Sequence, residues 1–412
     1  MLDPENGLIR MRLRLSPVKQ RQMVVDPSHP SGAASRPVVP PRLNGASTLA
    51  AILCSAAAAI GIVFALTGFP FTSDYSRAQS FGIWPDVLHE RAIAVESLSG
   101  DPHRPITDIM ADYGYPAMVG GPSPRTPAAV LFQLPLLLIS QSALMPAVTW
   151  SIVGLVIASL WLTANISEVS WRRLAWLVPL LLISYPVVTS ISYGSMTVMV
   201  TVALVLLAWA FRDRPWSSVP LGLAAAIRLW PMLIIVGFWI SGRRRAAYVA
   251  LAVLVSANLL GLLLPGVTLE GSVAALVHGG AAWVQHPQNA SAAVLFEVFG
   301  MPAIAATVAV SLIAVVLALR NPAQAIPICL VAALVASPLS WPTYMLTALP
   351  LLIIWWRTGG RIPVAVLAAP LLLWMYTPTG SKGYIDLAVL VALLAYASFT
   401  TGLWKDELCT AT

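Results

Sequence analysis

The chain is 412 residues long, with 58% hydrophobic and only 10% charged residues, where an ordinary soluble domain carries about 25% charge. Together with a mean hydropathy of +0.80, this excludes a soluble globular domain, a disordered chain and a disulfide-stapled secreted scaffold. The formal net charge of +7 could suit nucleic acid, but the basic residues sit between apolar segments, which points to membrane orientation and to no nucleic-acid partner.

The apolar stretches are continuous and do not alternate every second residue, so the expected fold class is an all-α polytopic membrane protein rather than a barrel. Residues 1–46 are polar, with Pro, Ser and seven basic side chains, and read as a disordered cytoplasmic tail. Residues 47–404 form one transmembrane domain, and 405–412 a cytoplasmic C-terminus. The first apolar run, 48–68, follows too long a polar region and lacks a clean A-x-A site, so it reads as an anchor and not a cleaved signal.

Residues 69–125 form a long first outer loop holding seven of the 17 acids: Asp74, Asp86, Glu90, Glu96, Asp101, Asp108 and Asp112. A loop of this length is usually functional. The segment 126–141 is short for a span and lies between prolines, so it is interfacial or re-entrant. Apolar segments follow at 145–166, 174–191, 196–211, 217–241, 246–265, 301–319, 324–337, 343–356, 362–377 and 385–404. A second outer loop occupies 266–300.

Arg172/Arg173, Arg212/Arg214, Arg243–Arg245, Arg320, Arg357/Arg361 and Lys405 punctuate these segments. The positive-inside rule asks for all of them in the cytoplasm. That demand is met if 217–241 makes two short passes with Arg228 at the outer turn. The count is then about twelve spans, with both termini inside and 18 of the 24 Lys/Arg in the cytoplasm.

This topology collects polar groups on the outer side. Asp74 lies near an apolar boundary, where a raised pKa suits a general base; as a solvated carboxylate it has no role. Arg228 ends an apolar run, and its planar fork suits a phosphate; it could equally snorkel to headgroups. The stretch 283–291, with Trp283, His286 and Asn289, offers stacking and hydrogen-bonding groups for a sugar. Trp at an interface, however, needs no function. Asn289-Ala290-Ser291 also matches a glycosylation sequon. Neither His278/His286 nor the cysteines Cys54, Cys329 and Cys409 form a metal-ligand pattern, so no metal is expected. No P-loop, GxSxG or HExxH occurs.

In order, the outer-face motifs are Asp74, Ser97-Leu98-Ser99-Gly100-Asp101-Pro102, Arg125-Thr126-Pro127 with its trailing Pro135-Leu136, Tyr193-Gly194-Ser195, Ala224–Ile227 with Arg228-Leu229-Trp230-Pro231, Asn289-Ala290-Ser291 and Ser337-Pro338-Leu339-Ser340-Trp341. Over about residues 70–350 this series resembles glycosyltransferase family 87, the polyprenol-phosphate-sugar-dependent membrane enzymes with the C-type fold. These include actinobacterial mannosyltransferases and arabinofuranosyltransferases of lipoglycan synthesis. There are departures. Ser195 stands where the family has Gln, Arg125 where it has the first Tyr of a Tyr-Pro-Pro segment, and Pro342-Thr343-Tyr344 where a His often follows the Trp. Ala78 stands where a Tyr usually follows the Asp by four residues.

The resemblance implies transfer of a sugar, mannose first and arabinofuranose second, from a polyprenyl-phosphate donor to a glycolipid or lipoglycan acceptor. The transfer would take place on the outer face of the plasma membrane and invert the anomeric centre. It implies Asp74 as general base, Arg228 and Arg125 on the donor phosphate, and Tyr193, Ser195, Trp283, His286, Asn289, Trp341 and Tyr344 around the sugar and acceptor. It implies no cofactor; the partners are membrane lipid, donor and acceptor. The rival class is a transporter or flippase of a lipid-linked glycan, which would share the span count and the broken helices. Against it, the two halves show no internal repeat.

Overall fold

The structure, a computed structural model, describes residues 86–114, 123–182, 184–284, 289–372 and 382–400. The chain divides into Met1–Asn44 and Gly45–Thr412, and every described residue belongs to the second unit. Among the described residues the secondary structure is helical, as expected where a low-dielectric surround forces each backbone N–H and C=O to pair within its own segment.

Three described helices are individually long and apolar enough to cross a membrane: Gln141–Ile166, Arg244–Gly261 and Ala303–Arg320. Shorter apolar helices pack among them. Ala325–Ala336 is buried at all twelve positions and forms the centre of the bundle. Ala303–Arg320 lies against it and buries only Ala306, Ala314 and Ala318, while Leu312, Ile313 and Leu319 are exposed. A helix with small residues inward and large aliphatics outward faces lipid. Arg244–Gly261 is built the same way, with Ala247, Ala250, Leu254, Ala257 and Gly261 inward at three- and four-residue spacing.

The segment 217–241 folds as two helices, Ser218–Ile227 and Met232–Ile240, joined by an extended Arg228. Asp213, before the first, forms an ion pair with Arg243, after the second, at 2.6 Å. The chain therefore enters and leaves on the same side, which makes the pair a hairpin with Arg228 at its far turn. At 1.5 Å per residue the two helices are only about 15 Å and 14 Å long, half of a hydrocarbon core of about 30 Å. The first is largely buried by its neighbours, and the second packs Ile234, Ile235, Gly237 and Phe238 inward. Gly222 is what permits this: a Cβ there would lie 2.5 Å from the Ala250 carbonyl and 2.7 Å from Val253 Cβ.

The same contacts sort the bundle into two ends. Trp161, Phe211 and Trp216 are successive ring neighbours, with centroids 6.1 and 5.0 Å apart, so the end of Gln141–Ile166 lies beside Asp213. Arg357 donates to the carbonyls of Ser167 and Glu168. Gly237 packs on the Ala325 carbonyl, five residues after the helix that closes with Arg320. Arg172, Arg173, Arg212, Arg214, Arg243, Arg320, Arg357 and Arg361 thus gather at one end, the distribution the positive-inside rule demands. Arg228 lies at the other.

Several expected segments differ in detail. The run 174–191 is broken, with Val178–Leu182 followed by a new helix at Tyr185 that carries Pro186 in its first turn. The run 343–356 begins as a 3₁₀ helix, Pro342–Ala348, before Leu349–Arg357, because Pro342 and Pro350 each remove an N–H. The short segment after Thr126 is a helix, Pro127–Gln133, with a 3₁₀ extension to Leu138. The stretch read as the second outer loop contains two helices, Leu269–Trp283 and Ala292–Val298. The first outer loop contains Asp86–Ser99 and Ile106–Asp112.

Candidate functional site

The site is assembled by a glycine. Tyr193 closes its helix, and Gly194 takes the left-handed conformation at φ 64°. A Cβ at Gly194 would meet Val87 Cγ1 at 2.9 Å, so only glycine lets the first turn of Asp86–Ser99 rest on this corner. Two hydroxyls then meet two carboxylates. Ser195 Oγ donates to Asp86 Oδ2 at 2.5 Å, and Thr197 Oγ1 donates to Glu90 Oε1 at 2.5 Å. Asp86, His89 and Glu90 are spaced i, i+3, i+4 and so share one helix face.

Arg125 approaches that face from the segment before Pro127. Its Nη1 donates to Glu90 Oε1 at 3.3 Å, its Nε to Ser123 Oγ at 2.8 Å, and its Nη2 lies 3.1 Å from His89 Nδ1. A guanidinium only donates. His89 Nδ1 is therefore the acceptor, and the imidazole is neutral with its proton on Nε2. Burial, together with the charges of Arg125 and Arg228, holds its pKa well below the usual histidine range. Among the described residues the buried Nε2 has no hydrogen-bond partner, nor has Glu90 Oε2.

Thr126 ties this cluster to the hairpin. Its hydroxyl caps Pro127–Gln133 by accepting from Ala129 N at 3.0 Å, and donates to the Ala226 carbonyl at 2.5 Å. Two residues on, Arg228 Nη2 donates to Thr197 Oγ1 at 3.3 Å, while among the described residues its buried Nε has no partner. Thr197 thus bridges Glu90 and Arg228. Trp230, in the same turn, lies 5.2 Å from the ring of Tyr344. Tyr344 is buried and feels the charges of Arg228, Asp86 and Arg125.

The two carboxylates have different neighbours. Glu90 faces a guanidinium at salt-bridge distance. Asp86 is raised to about 6 from an ordinary 3.8, chiefly by burial and further by Glu90, against the lowering effects of Ser195, Arg125 and Arg228. Two carboxyl groups at one site with different duties are a recurring arrangement for acid–base work. Among the described residues no three His, Cys, Asp or Glu side chains converge as metal ligands.

Of the residues singled out in the sequence, Arg125, Arg228, Ser195 and Tyr344 come together here, with partly buried Tyr193 at the edge of the corner. Arg125 is engaged by Glu90, His89 and Ser123, whereas among the described residues Arg228 keeps its Nε–H unpaired. Asn289 and Trp341 belong to an adjoining pair of loops. Asn289 Nδ2 donates to the carbonyls of Val284 and Pro338 at 3.0 and 2.8 Å, and its Oδ1 accepts from Ser340 N at 2.8 Å. This side chain clamps Asn289-Ala290-Ser291 to Ser337-Pro338-Leu339-Ser340-Trp341, bringing two of the motifs together. Trp341 leads directly into the turn that carries Tyr344, whose N–H bonds to the Trp341 carbonyl at 2.9 Å. Asp74 and His286 lie outside the described residues, as does the side chain of Trp283.

Asp86, His89, Glu90 and Thr197 were not singled out by sequence reasoning, which counted the two acids as loop charge and the histidine as one of several on the outer side. The signal was present: three titratable groups at i, i+3, i+4 in a segment without helix breakers.

The profile of glycosyltransferase family 87 matches residues 126–339, just over half of the chain. No curated protein and no solved structure matches it.

Proposed function

The chain belongs to glycosyltransferase family 87, and from that premise we propose that it moves a sugar from a polyprenyl-phosphate donor to a glycolipid or lipoglycan acceptor, at the end of the bundle that faces outward. The observation that carries the proposal is the joining of a carboxylate of raised pKa, Asp86, to a guanidinium whose Nε–H is unpaired among the described residues, Arg228, through the Ser195–Thr197 strip.

The chemistry follows from these groups. Asp86, as carboxylate, takes the proton of an acceptor hydroxyl as that oxygen attacks the anomeric carbon. The bond from that carbon to the phosphate oxygen breaks, and the phosphate leaves with the electron pair. Arg228 stabilises the charge that grows there in a water-poor setting, where a preorganised donor has its largest effect. Glu90 and Arg125 neutralise each other and hold the site in shape. One displacement inverts the anomeric centre. No nucleotide, metal or other cofactor is required by this scheme; the donor is a substrate. Mannose is the first choice of sugar and arabinofuranose the second. The outward orientation rests on the arginines at the opposite end, and a lipid-linked donor suits a face without sugar nucleotides.

The assignment of the base to Asp86 is supported by its hydrogen bond to Ser195 and its raised pKa; Asp74, which the sequence resemblance favours, lies outside the described residues. The test is transfer of label from radiolabelled polyprenyl-phosphate mannose into a membrane glycolipid extract by the purified protein in lipid, comparing Asp86→Asn with Asp74→Asn. Loss of more than about a thousandfold in Asp86→Asn, with donor binding kept, is expected. Full transfer in Asp86→Asn and none in Asp74→Asn would return the base to Asp74. If neither mannose nor arabinofuranose moves in the wild type, the choice of donor fails.

A further inference from the structure

At the basic end of the bundle, opposite Arg228, the close of Gln141–Ile166, the broken segment 171–182 and the helices Leu349–Arg357 and Arg361–Leu372 enclose a cavity of about 700 Å³. The catalytic proposal does not use it. Its walls are aliphatic, including Leu160, Leu177, Leu181 and Leu352, and its rim carries Arg173, Arg357 and Arg361 against a single acid, Glu168. Arg357 is occupied, since its Nη1 donates to the Ser167 and Glu168 carbonyls. Among the described residues the guanidinium groups of Arg173 and Arg361 have no hydrogen-bond or ion-pair partner, and both side chains are exposed.

The volume lies within the range of ligand-sized cavities, about 300–1,000 Å³. The matching solute has an apolar chain for the leucine walls and a negative head for the arginines. Basic pockets between helices on the cytoplasmic side are where anionic headgroups bind, and a phosphate suits a guanidinium fork. We propose that this cavity is a binding site for an anionic phospholipid of the inner leaflet, with its phosphate on Arg173 and Arg361 and an acyl chain along Leu160, Leu177 and Leu352. The site is independent of the transfer chemistry at the other end, and its test reads binding rather than transfer.

The experiment is native mass spectrometry of the full chain in neutral detergent, titrated with dioleoylphosphatidylglycerol, dioleoylphosphatidylcholine or inorganic phosphate. One phosphatidylglycerol per chain is expected to stay bound, phosphatidylcholine to bind at least tenfold more weakly, and millimolar phosphate to leave the lipid in place. Arg173→Ala/Arg361→Ala is expected to weaken phosphatidylglycerol roughly ten- to thirtyfold. Arg320→Ala, at the same end but off the cavity, is expected to leave it unchanged. Leu177→Trp fills the apolar wall with the arginines intact and is expected to weaken the lipid as well; it carries the test if the double variant does not fold. Equal retention of phosphatidylglycerol by these variants, or equal retention of phosphatidylcholine, overturns the proposal. Displacement by phosphate alone makes it a simple anion site, which also overturns it.

Discussion

Two ion pairs at opposite ends of the bundle are built in opposite ways. Asp213 and Arg243 meet at 2.6 Å with side chains 60% and 24% exposed. Glu90 and Arg125 meet at 3.3 Å with side chains 1% and 9% exposed. The exposed pair has the shorter contact, yet water screens it, and such pairs contribute only about 0–1 kcal/mol. The buried pair has already lost its hydration, so its partners depend on each other. A fold does not gather buried Glu90, His89 and Arg125 with partly buried Asp86 and Arg228 for stability, since such groups rarely exceed well-packed apolar residues on that count. Under the proposed function, charges at the basic end orient the chain and those at the site end serve the transfer chemistry.

The sharpest way to break this contrast is Glu90→Ala. It leaves Arg125 buried without a counter-charge and strips Thr197 of its acceptor. A loss of about 3–5 kcal/mol in unfolding free energy is expected, read by denaturation in detergent. Glu90→Gln/Arg125→Met, which removes both charges, is expected to regain most of that stability while leaving His89 without the group that fixes its tautomer. A cost under about 1 kcal/mol for Glu90→Ala would place the pair in the exposed class.

Next in size is Arg228→Ala. Removing one preorganised donor from a leaving group costs about 10²–10³ in rate. The drop is expected in kcat/KM for the lipid donor, with the acceptor KM little changed. A fall of less than about fivefold would remove Arg228 from the leaving group, because a donor aimed at growing charge cannot be worth so little.

Ser195→Ala tests the base through pH. Asp86 acts when ionised, so transfer is expected to fail as pH falls through its pKa, about 6 in the wild type. The Ser195 hydrogen bond favours the ionised form. Removing it raises the pKa, and the acidic limb of kcat/KM is expected to move to higher pH by about one to two units, the equivalent of a hydrogen bond to a charged group. A limb that stays in place, or moves to lower pH, would mean that another group titrates.

Much of this was legible in the sequence, and what was not has a physical cause. Gly194, Arg228, the clustered arginines and the two motifs that Asn289 clamps are marked by residue type alone, since left-handed φ, buried charge and orientation each demand particular side chains. The short hairpin was required by charge parity before any contact was known. The Asp86 face was missed because its meaning lies in pairings 107 and 109 residues apart in sequence, with Thr197 and Ser195, and no local period reports those. Asn289 shows the converse: its type suggested a sugar contact, whereas all three of its recorded hydrogen bonds go to backbone. The break before Tyr185 was missed because hydropathy runs through it, although Pro186 was there to read.

The smallest expected effect belongs to Asp213→Asn. Loss of that exposed pair is expected to cost under about 1 kcal/mol, less still at high salt, and to leave transfer unchanged. The pair has more value as a topological marker than as a source of stability. If 217–241 crossed the membrane once, residues 213 and 243 would sit on opposite faces, about 30 Å apart. In a hairpin they share a face, and 229 lies at the far turn. In a background with Cys54, Cys329 and Cys409 replaced by Ser, Asp213→Cys and Arg243→Cys are each expected to escape a membrane-impermeant thiol reagent in intact cells and to react after permeabilisation. Labelling of 213 and 243 from opposite sides would undo the hairpin and take Arg228 away from Thr197, and with it the joining of base and guanidinium on which the proposed chemistry depends.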